Sequence, residues 1–77
     1  MRRQESDVRM VRGFVARNHS EPYLVLSFDR NYVVYARPNG HNDIAEGSLV
    51  SVEIDSGAFG YGGKFYGYGR IAEVFQR

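Results

Sequence analysis

The chain has 77 residues, enough for one domain close to the lower limit for folding without covalent staples. It has no cysteine and two histidines, His19 and His41, which excludes disulfides and thiolate metal sites, and the two histidines cannot make a tetrahedral centre alone. Ten basic side chains against nine acidic ones give a net charge of +1, which is little for a phosphate-binding surface, yet nine of the ten are arginines and only Lys64 is a lysine.

Met1–Asp7 is polar and is read as an arm, with the domain proper over residues 8–77. Val8–Arg17 reads as a long first strand in which Gly13 marks a bend. Asn18–Pro22 supplies turn residues, and Tyr23–Phe28 follows as a second strand. Alternation there puts Leu24, Leu26 and Phe28 on one face and Tyr23, Val25 and Ser27 on the other, with Ser27 taken to mark the wetter side. Asp29–Asn31 turns the chain into a third strand, Tyr32–Arg37. Arg37 assigns Val33 and Tyr35 to its outer face, leaving Tyr32, Val34 and Ala36 inside; a one-residue change in register would exchange the two sets.

Pro38–Asp43 is a polar loop, and Ile44–Gly47 is expected to form a short helical turn closed by glycine. Ser48–Asp55 alternates most cleanly, with Val50, Val52 and Ile54 inward and Ser51, Glu53 and Asp55 outward. Leu24 and Leu26 are expected to join those three in the core. Ser56–Gly69 holds six of the nine glycines and five of the eleven aromatics, and Arg70–Phe75 closes the domain as a fifth strand. Five short strands without an amphipathic helix indicate an all-β fold closed into a small antiparallel barrel, because closure removes edges that would otherwise promote aggregation.

Val11-Arg12-Gly13-Phe14-Val15 resembles the opening strand of OB-fold RNA-binding domains, and Tyr23 through Arg37 resembles their central hairpin. Gly47-Ser48-Leu49-Val50, leading into the alternating fourth strand, resembles the entry into strand four of the same domains, and Gly69-Arg70-Ile71 is similar to the start of the last strand in the bacterial translation initiation factor one family. The cold-shock domain is a second relative, resembled by Asp55-Ser56-Gly57-Ala58 and by Tyr32-Val33-Val34-Tyr35. Its first aromatic motif is replaced by Pro22-Tyr23-Leu24-Val25-Leu26. The resemblance implies a five-stranded OB-type barrel that binds single-stranded RNA or DNA.

Binders of single strands combine positive charge with aromatic platforms, because every base offers a stacking face and every linkage a charge. The candidate platform is Tyr23 and Tyr35 beside Arg37, with Arg12 or Arg17 from the first strand, and Tyr32 replaces Tyr35 if the register shifts. Within Ser56–Gly69, the candidates are Phe59, Tyr61, Lys64 and Phe65. That segment is read as a lid over bases, a packed hairpin or a protein contact, three alternatives the sequence leaves open. No nucleophile–base set or phosphate loop is present, so no catalysis and no cofactor are expected. The expected partner is single-stranded RNA or DNA, with the ribosome or another protein complex reached through the Gly-aromatic segment as the alternative. No apolar span or leader pattern is evident, and a cytoplasmic setting is expected.

Overall fold

The computed structural model describes residues 9–41 and 43–76. The arm assigned to residues 1–7 lies outside the described residues, as do the side chains of Tyr61 and Gln76. Five strands, β1 (Arg9–Arg17), β2 (Tyr23–Ser27), β3 (Tyr32–Arg37), β4 (Leu49–Phe59) and β5 (Phe65–Gln76), close into a barrel in the order β1-β2-β3-β5-β4. The contacts are antiparallel except β3 with β5, which is parallel. This is a small barrel of the OB type.

Closure depends on strands that serve two neighbours. β1 pairs with β4 along Arg9–Phe14 and with β2 along Gly13–Arg17, so it must coil sharply where the two pairings overlap. Gly13 sits at that overlap, and a Cβ there would collide with the backbone carbonyl of Leu26. Gly69 plays the same part on β5, where a Cβ would collide with the carbonyl of Glu53.

The core is built from the inward residues of each strand, among them Val15, Val25, Val34, Val50, Val52 and Ile71, all essentially inaccessible to solvent. The expected inward residues of the third and fourth strands are found inside, Val34 and Ala36 on β3 and Val50, Val52 and Ile54 on β4, whereas Ser51, expected outward, is buried where β4 pairs with both β1 and β5. β2 has the opposite phase to the one expected. Tyr23, Val25 and Ser27 point inward, whereas Leu24 and Leu26 are half-buried on the outside and Phe28 is exposed. The reason lies in Ser27, whose buried hydroxyl donates to the Asp29 carboxylate (2.6 Å) and accepts from the Tyr32 N–H (3.0 Å). A hydroxyl satisfied inside a turn can be buried at little cost.

Ile44–Gly47 forms no helix. Ile44 is buried beneath the barrel, Gly47 takes a positive φ of 90°, and its N–H donates to the Val15 carbonyl (2.7 Å). Of the alternatives for Ser56–Gly69, the structure has the hairpin. β4 runs on to Phe59 and pairs from Ser56↔Tyr68 through Phe59↔Phe65, forming a hairpin arm turned at Gly60–Lys64. Gly62 and Gly63 take positive φ in that turn, a conformation glycine enters without strain.

Candidate nucleic-acid interface

Strand register aligns the outward side chains of β2, β3 and β5 into rows. Leu26, Val33 and Tyr66 form one row, Leu24, Tyr35 and Tyr68 the next, and Arg37 stands opposite Arg70. Tyr35, Tyr66 and Tyr68 are 38%, 41% and 56% exposed, so three rings on neighbouring strands face solvent from one apolar wall. The Tyr35 and Tyr68 rings lie 5.6 Å apart with their planes tilted by 35°, close enough to hold each other's orientation.

The glycines on β5 make this display possible. Its run Phe65-Tyr66-Gly67-Tyr68-Gly69 alternates, with Tyr66 and Tyr68 outward and Phe65, Gly67 and Gly69 buried. A Cβ on Gly67 would press into the Phe65 ring and the Ser56 carbonyl. The inner side of the strand therefore has room only for hydrogen at that position.

The residues singled out from the sequence divide sharply. Tyr35 and Arg37 occupy the outer face of β3, as expected. Tyr23, expected as a platform, is buried in the core at 9% exposure, a consequence of the β2 phase. Tyr32 is half-buried at the barrel mouth, where its hydroxyl accepts from Arg9 (2.9 Å) and its ring meets Phe65 at 5.2 Å. Phe65 is itself buried, which makes it a packing residue, while Phe59 stands 66% exposed on the arm with its ring edge-on to Phe65. Lys64 is exposed in the turn of the arm. Tyr61 belongs by its backbone to the same turn, and its side chain lies outside the described set.

Arg17 is exposed at the end of β1, while Arg12 lies over the Phe75 ring (5.2 Å), on the wall shared with β4. Neither joins the tyrosine rows. Tyr66, Tyr68 and Arg70 do, and sequence reading missed all three. The signal was present as period-2 alternation, hidden because glycines suggested a loop.

Charge is distributed unevenly around the barrel. Arg37 bonds to Asp55, and Arg70 bridges Glu53 (2.5 Å) and Asp55 (3.6 Å), so the outward carboxylates of β4 neutralise the two arginines beside the tyrosines. Such exposed pairs contribute little to stability, typically about 0–1 kcal/mol. By contrast, Arg9, Arg12 and Arg30 each lie against an aromatic ring, Tyr32, Phe75 and Phe14 respectively, and make no ion pair among the described residues. Asp29 is held below its ordinary carboxylate value, first by the Ser27 hydroxyl and then by the backbone N–H of Asn31.

An open cleft of about 480 Å³ borders the tyrosines, lined by Glu21, Pro22, Tyr35, Arg37, Pro38 and Tyr68. No three His, Cys, Asp or Glu side chains converge on a metal-sized site among the described residues. Comparison with protein-family models, curated proteins and solved structures returns no match for this chain.

Proposed function

We propose that this barrel binds single-stranded nucleic acid, RNA foremost, on the face carrying Tyr35, Tyr66 and Tyr68. The observation that carries the reading is the presentation of three partly exposed rings, in register on two neighbouring strands, with arginine beside them. Each base stacked on such a ring contributes about 1–3 kcal/mol, and the contact tolerates any base because all have a π-face. Since Arg37 and Arg70 are already paired with carboxylates, stacking outweighs phosphate attraction on this face. Arg9, Arg12 and Arg30, which make no ion pair among the described residues, offer guanidinium groups for backbone that runs beyond this face. The similarity of Gly69-Arg70-Ile71 to initiation factor one, of the fourth strand to OB-fold RNA binders and of Asp55–Ala58 to cold-shock domains supports a role of that type in the cytoplasm.

Fluorescence anisotropy with labelled oligo-uridine tests the proposal, and binding that weakens with Tyr35→Ala and Tyr68→Ala supports it. A second reading rests on a specific observation: Phe59 stands 66% exposed on the hairpin arm, well placed to dock a protein. In that case Phe59→Ser would abolish capture of a protein partner and leave oligonucleotide affinity unchanged.

A further inference from the structure

The cleft bounded by the turn before β2, the end of β3 and Tyr68 of β5 has a chemistry that distinguishes bases. Its walls are two tyrosine rings and two prolines, Pro22 and Pro38, flat or rigid groups that suit a planar ring. Its volume of about 480 Å³ falls within the usual small-ligand range of about 300–1,000 Å³. Two charged groups line it. Arg37 is anchored by its bond to Asp55, which fixes the direction of its remaining N–H groups. Glu21 is exposed and makes neither ion pair nor hydrogen bond among the described residues, so its carboxylate is an acceptor awaiting donors.

We infer that this cleft takes a guanine base within the bound strand, an inference that rests on the nucleic-acid reading above. A carboxylate presents two acceptor oxygens side by side. Guanine offers two adjacent donors, its ring N1–H and its 2-amino group, and no other standard base offers that pair. Adenine and cytosine present one amino group beside a ring acceptor, which would face the carboxylate with like partial charge. Uracil presents a single ring N–H between two carbonyls. With the base lying against Tyr68 or Tyr35, its adjoining major-groove edge carries O6 and N7, the two acceptors that arginine recognises. Glu21 and Arg37 thus supply complementary groups for the two edges of one base.

Heptamers of uridine carrying a single central guanosine, adenosine, cytidine or inosine, titrated by tyrosine fluorescence, test this directly. The guanosine heptamer should bind about tenfold more tightly than the all-uridine strand, a modest factor because Glu21 is open to water. Inosine, which lacks the 2-amino group, should lose most of that preference. In Glu21→Gln the guanosine-to-uridine ratio should collapse towards one, since an amide cannot accept two hydrogen bonds side by side. A ratio of one in the wild type, with uridine strands still bound, would overturn the inference while leaving the broader reading intact, as would a preference that survives Glu21→Gln. If no heptamer binds, the nucleic-acid reading fails and this inference with it. A proline-rich peptide that binds in the same cleft, while no oligonucleotide does, would assign the site to protein recognition.

Discussion

Tyr68→Ala separates binding from folding. The side chain already has 56% of its surface in water, so little apolar burial is lost on truncation. What disappears is the contact with the Tyr35 ring at 5.6 Å, and such pairs are worth about 0.5–1.5 kcal/mol beyond area burial. Adding a partial transfer term gives a destabilisation of about 1–2 kcal/mol, well below the roughly 3–5 kcal/mol of a fully buried aromatic. For a domain of this size that lowers Tm by about 4–16 °C, at about 4–8 °C per kcal/mol. Affinity for oligo-uridine should fall by about 1–3 kcal/mol, or roughly five- to 150-fold. Tyr23→Ala is the contrasting change: Tyr23 is a core residue, so melting should suffer most and affinity should track the folded fraction. Anisotropy titration at a temperature where both variants are folded gives the answer. Unaltered affinity in Tyr68→Ala would refute the assignment of the β3–β5 face.

Three further outcomes follow from the packing and the turn chemistry. Val52→Ala removes two methyl groups from a fully buried site and should cost about 1–3 kcal/mol, read as a lower denaturant midpoint; an unchanged midpoint would show the β4 phase to be wrong. Gly69→Ala places a Cβ against the Glu53 carbonyl and should cost about 1–3 kcal/mol or more by overpacking, whereas Gly40→Ala meets no atom within 4 Å and differs only through its positive φ; equal melting of wild type and Gly69→Ala would contradict the crowding described for β5. Asp29 has a folded pKa below its ordinary 3.8, so its contribution to stability is complete above that value and is lost as pH falls through the lower folded pKa. Ser27→Ala removes the largest cause of the lowering and should shrink the stability difference between about pH 6 and about pH 2; identical pH profiles would dismiss the Ser27 contact as the cause.

Much of the barrel was legible because alternation and burial agree where both sides of a strand are chemically distinct. Val50, Val52 and Ile54 against Glu53 and Asp55 leave one possible phase, while Arg37 only favoured the observed phase of β3, which a register change would have reversed. β2 offered no such contrast. Both of its faces are largely apolar, because Leu24 and Leu26 are partly covered by the outer wall of this small barrel, and Ser27 misled because its hydroxyl is satisfied by Asp29 and Tyr32. That single error placed Tyr23 on the wrong side and with it one member of the candidate site.

The β4–β5 arm was legible only as one of three alternatives, for a different reason. Glycine weakens a strand when read residue by residue, yet at Gly67 and Gly69 it answers a local demand for close approach between strands and a neighbouring ring. Such a demand comes from the closed barrel and has no local signature. Once it is granted, Tyr66 and Tyr68 fall on the outer face by alternation alone.

A salt titration of wild-type binding to oligo-uridine and oligo-thymidine bears most directly on the central claim. Stacking on three tyrosines, with few unpaired arginines nearby, predicts binding to both strands. The slope of log K against log salt should then be only about −2 to −4, the value for roughly three to five phosphate contacts on a single strand. Absence of binding to either strand at low salt would contradict the account and leave the exposed tyrosines and the Phe59 arm to a protein partner.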